Sequence, residues 1–236
     1  MEVLYSPKPG SSGSEPTAEI RPAPGVPLNF TMERVARTGK DKTWGSVLYI
    51  LARESRAKVI LELGSCAGIS AAYLASSEYC EVLHTVEGSA SLSHLARETL
   101  QKIKTKAKVK VHNALFDDAL DDLLPELPYI DFVFIDGHHE KIATMHYWER
   151  ISQKMRPGTV VVFDDIAWSE DMRDAWISLS QRPEFSDVVD FGPIGVCICG
   201  EKDSGKPKYW DLQPILGKRR VGSPHGWSRE SGDVVA

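Results

Sequence analysis

The sequence predicts an α/β fold in which a mostly parallel, doubly wound sheet carries helices on both faces. Short, uniformly apolar runs, which are typical of strands buried on both faces, alternate along the chain with segments of helical periodicity. Repetition of strand and helix in this order favours parallel strands joined by helical crossovers. With 236 residues, of which 42% are hydrophobic, the chain has the size of one domain with short extensions.

The predicted elements follow one another regularly along the chain. An amphipathic helix at 42–54 comes first, and we expect it to lie over the sheet edge or the mouth of a site. Five strands are then expected at 58–63, 81–86, 108–111, 130–135 and 159–163. Helices are expected at 67–76, 90–104, 117–124, 141–155 and 170–180. A hairpin at 187–191 and 195–199, interrupted by Gly192 and Pro193, closes the sheet.

The two ends of the chain differ in composition from its middle. Residues 1–27 are rich in Pro, Gly and Ser and poor in apolar side chains, which predicts a flexible N-terminal arm. Residues 28–200 then form the central domain, and the polar residues 201–236 form a C-terminal tail. Part of this tail could dock on the domain through its apolar residues, which are Tyr209, Trp210, Leu212, Ile215 and Leu216.

Composition narrows the classes of function. The chain has 28 Lys+Arg against 33 Asp+Glu, and this net charge of −5 argues against a nucleic-acid partner. It contains neither a run of about 20 apolar residues nor a signal peptide, so we expect a cytoplasmic protein without a membrane partner. The spacing of the four cysteines predicts neither a disulfide framework nor a zinc site.

The first motif follows the strand at 58–63 and contains Glu62, Gly64, Ser65 and Gly68. In parallel sheets, ligands bind beyond the carboxyl ends of the strands, so residues at those ends are the most informative. Glycines four residues apart let the backbone turn sharply and approach a ligand closely. Their spacing differs from the Gly-x-Gly-x-x-Gly of dinucleotide sites, which favours a ligand without a phosphate. An ordinary strand-to-helix turn is the alternative.

A second candidate is Glu87, which ends the second strand 23 residues after Gly64. An acidic side chain at this distance from a glycine turn is suited to accept hydrogen bonds from a ribose diol. Because acids at strand ends are common, the register with the glycine turn is the main support for this interpretation.

Three acids follow the fourth and fifth strands, namely Asp136, Asp164 and Asp165. If these strands are neighbours in the sheet, their ends lie about 5 Å apart and the three carboxylates converge. A hard divalent cation such as Mg²⁺ would relieve their repulsion. In the alternative interpretation, Asp136 is a polar turn residue, and Asp164 or Asp165 caps the next helix.

Together, the acid followed by Gly-x-x-x-Gly and the acid after the second strand resemble motifs of the class I S-adenosylmethionine-dependent methyltransferases. The resemblance covers roughly residues 40–200 and implies a Rossmann-like, seven-stranded sheet with an antiparallel last strand. It implies that Glu87 holds the cofactor's ribose and that the glycine turn, with Ser65 and supported by Glu62, faces the cofactor. Asp136 is a further expected cofactor contact. The adenine contacts are expected after the third strand, at Asn113, Ala114 and Leu115.

The motif around Asp136 and the Asp164-Asp165 pair resemble those of metal-dependent O-methyltransferases that act on catechols and, in relatives, on sugar hydroxyls of natural products. In that branch these positions ligate Mg²⁺, which implies Mg²⁺ as a second cofactor here. Catechol enzymes carry a Lys three residues beyond the first Asp and an Asn as the second member of the pair. This chain has His139 and Asp165 there, which moves the expected acceptor toward sugar hydroxyls.

Histidines and a tryptophan complete the candidate site. His139 is the predicted general base, acting beside Asp136, because imidazole accepts protons near neutral pH. His138 competes for this role by position, whereas His146 is expected to be a packed or surface residue. Trp168 is expected either to line the substrate or adenine pocket or to lie in the core.

The sequence thus predicts methyl transfer from S-adenosylmethionine to a hydroxyl oxygen of a small molecule, with Mg²⁺ assistance. One alternative is a metal-independent methyltransferase that acts on another acceptor. A nucleotide-cofactor oxidoreductase and a non-catalytic S-adenosylmethionine-binding domain are further alternatives. The sequence leaves the oligomeric state open, with a homodimer as one option.

Overall fold

The structure is a computed structural model that describes residues 2–5, 26–29, 31–201 and 205–214. Most of the predicted N-terminal arm and of the predicted tail, including Ile215 and Leu216, lies outside these residues. No helix in the described part of the chain is long and apolar enough to cross a membrane.

Seven helices and ten strands are assigned within the described ranges. The strands are β1 (Glu2–Tyr5), β2 (Val26–Asn29), β3 (Val59–Leu63), β4 (Val82–Glu87), β5 (Lys108–Asn113), β6 (Phe132–Ile135), β7 (Val160–Phe163), β8 (Phe185–Asp190), β9 (Gly195–Cys199) and β10 (Lys208–Asp211). The helices are α1 (Met32–Thr38), α2 (Lys42–Glu54), α3 (Ile69–Ala75), α4 (Ala90–Gln101), α5 (Phe116–Glu126), α6 (Lys141–Ser152) and α7 (Glu170–Leu179). β1 and β2 pair with each other in a separate antiparallel ribbon.

The main sheet confirms the predicted doubly wound architecture. Its strand order is β10-β8-β9-β7-β6-β3-β4-β5, and the five strands from β7 to β5 are parallel to one another. β9 runs antiparallel to both of its neighbours, as expected for the last strand. The sheet has eight strands rather than seven, because β10 pairs in parallel with the outer side of β8. Tyr209 and Trp210 of the predicted tail lie on this additional strand.

Alternating side chains of the central strands enter two separate cores. Leu61 and Leu63 face one side of the sheet, where they belong to the same buried cluster as Trp148 of α6. Ile60 faces the other side and clusters with Leu74 of α3. Both faces of the sheet are therefore covered, which explains why the strand sequences are apolar without alternation.

Two helices precede β3, and only α2 was predicted. In the short helix α1, Thr31 caps the N-terminus by accepting a hydrogen bond from the Arg34 backbone, and Val35 is buried against Leu92 of α4. α2 packs on α3, where a Cβ on Gly45 would overlap the ring of Tyr73. Leu48 of α2 belongs to the same buried cluster as Ile60 of β3, so α2 covers a face of the sheet, which corrects the predicted position over its edge. The alternative position over the mouth of a site stays a prediction.

The closing hairpin contains a buried ion pair that we call the Asp190 cluster. Its members are Arg173, Trp176, Asp190, Gly192 and Tyr209. Arg173 Nη2 lies 2.7 Å from Asp190 Oδ2, which also accepts hydrogen bonds from Trp176 Nε1 at 3.0 Å and the Tyr209 hydroxyl at 2.7 Å. The Gly192 N–H donates to Oδ1 at 2.8 Å. The cluster thus ties together α7, β8, the following turn and β10.

Candidate active site

The register of the parallel strands brings the predicted site residues to one edge of the sheet. Leu63 pairs with Ile135, which in turn pairs with Phe163 on β7. The next backbone N–H groups continue this pattern, because Asp136 N donates to Leu63 O at 2.8 Å and Asp164 N donates to Ile135 O at 2.9 Å. Asp136 and Asp164 therefore lie side by side. This agrees with the prediction that the strands before them are neighbours in the sheet.

The backbone conformation and close packing of the glycine turn require both of its glycines. Gly64 and Gly68 have φ angles of 102° and 81°, a region that favours glycine. A Cβ on Gly64 would overlap the carbonyl oxygen of Asp136, and one on Gly68 would lie 3.0 Å from Ala96 Cα. The turn needs these residues whether or not a ligand is bound, so the support for a ligand comes from the polar groups around them.

Glu62 stabilises the glycine turn through a buried hydrogen-bond relay. Its carboxylate accepts a hydrogen bond from the Thr85 hydroxyl, which leaves that hydroxyl to accept one from Ser65 of the turn. Burial raises the pKa of Glu62 to about 7, against hydrogen bonds from Ser70 and Thr85 that lower it. The predicted supporting role of Glu62 is consistent with this relay.

Glu87 lies at the carboxyl end of β4 and binds the backbone of the turn beside it. Its Oε2 accepts the Cys66 N–H, and its Oε1 accepts the Ser89 N–H, both at 2.9 Å. Burial raises the pKa of Glu87, whereas these backbone hydrogen bonds lower it. Each carboxylate oxygen retains lone pairs, so Glu87 can still accept hydrogen bonds from a ligand hydroxyl.

The predicted adenine contacts lie next to Glu87. The Asn113 side-chain amide donates to the backbone oxygens of Glu87 and Gly88, at 2.9 and 3.2 Å, and Ala114 N donates to Glu87 O at 3.2 Å. Leu115 precedes α5 and is 39% exposed. These residues border the open edge of the sheet beside the glycine turn.

Lys40 was missed in the sequence and lies at the centre of the acid group. Its Nζ contacts Asp164 Oδ2 directly and lies 3.3 Å from Asp136 Oδ2. We call these three residues the Lys40 cluster. No sequence motif predicted a role for Lys40, because it lies in the link between α1 and α2, about 100 residues before Asp136. Only the folded chain places it beside the strand ends.

The Lys40 cluster perturbs the ionisation of all its members. Burial raises the pKa of Asp164 to about 7, and the neighbouring Asp136 adds to this effect, while Lys40 counteracts it. Burial likewise raises the pKa of Asp136, again against the ammonium of Lys40. Burial alone would lower the pKa of Lys40, but the surrounding carboxylates outweigh it and raise the pKa.

The predicted magnesium site does not fit the arrangement of these residues. In the described ranges, no three His, Cys, Asp or Glu side chains are placed to hold a metal ion. The Lys40 ammonium lies where a cation shared by Asp136 and Asp164 would be, and Asp165 turns toward His139 instead. The alternative in which Asp164 or Asp165 caps the next helix is wrong, because the side chain that caps α7 belongs to Ser169.

The two neighbouring histidines face different surroundings. His138 has a φ of 61°, and its Nδ1 lies 2.9 Å from the Tyr147 hydroxyl in the interior. His139 Nε2 lies 3.9 Å from Asp136 Oδ1 and 3.7 Å from Asp165 Oδ2. The structure therefore brings His139 to the strand-end acids, whereas His138 contacts Tyr147, and both histidines precede α6.

Two further aromatic predictions can be located. Trp168 is 48% exposed, and its ring centroid lies 6.3 Å from that of His139, so it borders the open side of the acid group and not the core. His146 is half-buried and pairs with Asp117 at 2.7 Å, which agrees with its expected structural role.

Known proteins resemble the chain over this same region. A family described as a methyltransferase domain matches residues 61–166, which contain the glycine turn, Glu87 and the strand-end acids. The match covers less than half of the chain, which therefore resembles this family over its central segment. The catechol O-methyltransferase of Niastella koreensis is 29% identical over 124 residues. That match covers 52% of this chain and 55% of the relative, so it spans about half of each protein.

Solved structures show the same fold. An O-methyltransferase from Bacillus cereus in complex with SAH is 24% identical, with a TM-score of 0.58 over 73% of this chain and 92% of that chain. An O-methyltransferase of tomaymycin synthesis from Streptomyces achromogenes, in complex with SAM, is 21% identical, with a TM-score of 0.55 over 71% and 88% of the two chains. At these identities, the two structures show that the chain shares their fold.

Proposed function

We propose that this chain transfers a methyl group from S-adenosylmethionine to a hydroxyl oxygen of a small molecule. The observation that carries the proposal is the position of His139 Nε2 between Asp136 and Asp165, at the sheet edge that also carries the glycine turn and Glu87. The family match and the catechol O-methyltransferase relative support the same activity.

The cofactor half of the proposed site consists of the glycine turn and Glu87. The free lone pairs of the Glu87 carboxylate suit the two hydroxyls of a ribose, and Asn113 to Leu115 lie beside it for contacts with a base. S-Adenosylmethionine, when bound, supplies the methyl group, and the carbon–sulfur bond breaks with its electron pair retained on sulfur. The chain's own contribution is to hold the ligand at a fixed distance from the acceptor.

The acceptor half of the proposed site centres on His139. Its Nε2 lies too far from both carboxylates for a direct hydrogen bond, and it is therefore available to an acceptor hydroxyl. The hydroxyl proton moves to this nitrogen as the oxygen attacks the methyl carbon. The negative charges of Asp136 and Asp165 then stabilise the imidazolium that forms.

Trp168 provides an apolar surface beside this base. An exposed indole next to His139 can pack against the flat face of an aromatic ring or the carbon face of a sugar. A small hydroxylated ring compound is therefore the acceptor class that we propose, and sugar hydroxyls and catechols both fall within it.

The cytoplasmic location of the protein remains a prediction.

Calorimetric titration of the full-length protein tests the cofactor assignment. We expect binding of S-adenosylmethionine and none of NAD, since the glycine spacing disfavours a dinucleotide. Glu87→Ala should weaken S-adenosylmethionine binding by about 1.5 to 3 kcal/mol, the usual effect of losing hydrogen bonds to a charged group. Glu81→Ala, at an exposed position next to the start of the same strand, is the matched control.

Turnover tests the reaction itself. Catechols and hydroxylated sugars are incubated with S-adenosylmethionine, and formation of S-adenosylhomocysteine is measured. Product formation with any of these hydroxyl compounds supports O-methylation. Binding of NAD in place of S-adenosylmethionine would favour the oxidoreductase, and tight cofactor binding without any product would favour a non-catalytic domain.

A further inference from the structure

The Lys40 side chain is mostly shielded from solvent, beside the carboxylates of Asp136 and Asp164. The Lys40 side chain is 14% exposed, and that of Asp164, which it contacts, is 2% exposed. A lysine is rarely buried unless its charge is paired. Here the pairing partners come from the ends of two neighbouring strands, so one ammonium serves two carboxylates.

The chain on both sides of Lys40 is fixed to the domain. On one side, Val35 of α1 is buried against Leu92 of α4. On the other side, Asp41 caps α2 by accepting a hydrogen bond from Trp44 N at 3.0 Å. Gly39 packs near the side chain of Ile69 in α3. The segments on both sides of Lys40 are thus held by their own contacts, so the position of Lys40 does not depend on the acids alone.

An ammonium and a divalent cation cannot both occupy this position. Lys40 Nζ lies within 3.3 Å of Asp136 Oδ2 and contacts Asp164 Oδ2, the oxygens that a shared cation would need. Two cations a few ångströms apart repel each other strongly in a site of low dielectric constant. The ammonium supplies three hydrogen-bond donors in place of the metal's coordination sites.

We propose that Lys40 takes the place of a divalent cation in this domain, so that the methyl transfer proceeds without a metal. The catalytic part of this inference rests on the proposed function, whereas the exclusion of the cation does not. Lys40 acts as a positioning residue, because it holds Asp136 in reach of His139 and neutralises charge beside the acceptor oxygen. The oxygen is then deprotonated by His139 alone.

Binding of Mn²⁺ to the full-length protein, followed by electron paramagnetic resonance, tests the inference directly. Mn²⁺ prefers the same oxygen ligands as Mg²⁺. We expect Lys40→Ala to bind Mn²⁺ at least about tenfold more tightly than the wild type, because it frees the two carboxylates. Lys40→Arg, which keeps the charge, and Lys42→Ala, at an exposed position two residues away, should resemble the wild type.

Two additional variants make the test robust. Lys40→Gln replaces the ammonium by a neutral group of similar length, and it should also gain Mn²⁺ affinity if Lys40→Ala does not fold. Adding Asp164→Asn to Lys40→Ala should abolish the gain. Folding is checked by circular dichroism, and S-adenosylmethionine binding is measured in parallel on every variant.

Equal Mn²⁺ affinities of the wild type and the neutral variants would overturn the inference, whether both bind tightly or neither binds. A gain that survives Asp164→Asn would place the ion elsewhere and would overturn it as well. Loss of wild-type turnover after treatment with EDTA has the same consequence. A wild type that fails to bind S-adenosylmethionine refutes the proposed function instead, while the Mn²⁺ comparison remains interpretable.

Discussion

Two buried groups of charged side chains, the Asp190 cluster and the Lys40 cluster, differ in how completely their carboxylates are satisfied. Asp190 is fully buried and faces four donors, namely a guanidinium, an indole N–H, a phenol and a backbone N–H. In the Lys40 cluster, two carboxylates share one ammonium, and burial raises the pKa of both.

The difference separates a structural acid from a candidate functional one. Burial is similar for Asp190 and Asp164, at 0% and 3% exposure, so burial cannot distinguish them. Asp190 joins elements that close the sheet, whereas Asp164 stands beside Asp136, whose side chain is 20% exposed at the open edge. Incompletely satisfied acids at an open edge are typical of sites that bind or react. We therefore expect changes around the Lys40 cluster to affect function and changes in the Asp190 cluster to affect stability.

The largest expected effect is on turnover, in His139→Ala. Loss of a positioned general base should lower kcat by about 10²- to 10⁴-fold. S-Adenosylmethionine binding and the free energy of unfolding should change little, since His139 lies at the surface of the acid group. The measurement is S-adenosylhomocysteine formation with a compound that the wild type methylates.

Two histidine controls define this prediction. His146→Ala, whose partner Asp117 lies on α5, should keep wild-type turnover. His138→Ala should act mainly on stability, because it removes the partner of the Tyr147 hydroxyl. Turnover that is lost in His138→Ala and intact in His139→Ala would reverse the assignment of the base.

The next largest effect is on stability, in Asp190→Ala. The variant removes the carboxylate that faces the buried guanidinium of Arg173, and breaking a buried ion pair typically costs about 3 to 5 kcal/mol. Urea denaturation at neutral pH measures this loss. Asp187→Ala is the control, because Asp187 lies on the same strand and its side chain accepts a hydrogen bond from the exposed Trp210 at 3.3 Å. A loss below about 1 kcal/mol would show that the Asp190 cluster is not the structural centre we describe.

A third buried acid, Glu62, allows a test by pH. Its pKa of about 7 lies above the ordinary value of 4.5, so the folded state holds the proton more tightly than the unfolded state. The resulting stability is fully present below pH 4.5 and is lost as the pH rises through 7, by roughly 2 to 4 kcal/mol. Glu62→Gln cannot ionise and should lose none of it.

Urea denaturation at pH 5 and pH 8 measures this difference. Relative to the wild type, Glu62→Gln should become more stable at the higher pH. Glu81→Gln, at an exposed position, should follow the wild type at both values. A constant difference between Glu62→Gln and the wild type would mean that Glu62 ionises normally in the folded protein.

The sequence contained most of the fold because its signals are local. The apolar runs of β3, β6 and β7 and the helical patterns between them can be recognised without the rest of the chain. β10 could not be predicted, because its sequence, Lys208–Asp211, is partly polar and pairs only with a distant edge strand. The short helix α1 was missed for a similar reason, since packing against α4 stabilises it.

The candidate site was predictable to the extent that strand ends determine it. Asp136 and Asp164 follow strands and Glu87 ends one, so the parallel register alone brings them to one edge. We expected Mg²⁺ because three acids follow neighbouring strands in the sequence. The sequence does not show that the ammonium of Lys40 faces two of them. Lys40 lies in a link without periodicity, and its partnership with Asp164 spans 124 residues. Such a contact depends on tertiary structure, which no local pattern encodes.

The smallest expected effect, in Tyr209→Phe, tests how fully the hydrogen-bonding capacity of Asp190 is satisfied. Tyr209→Phe removes the hydroxyl that donates to Asp190 Oδ2, and because Tyr209 is only partly buried we expect a cost of about 1.5 kcal/mol. Arg173 and Trp176 still face the carboxylate, so the cost should be well below that of Asp190→Ala. Urea denaturation of the single variants and of the double variant gives the coupling energy. If Tyr209→Phe destabilises the protein as much as Asp190→Ala does, docking of β10 rather than satisfaction of Asp190 holds the closing hairpin together.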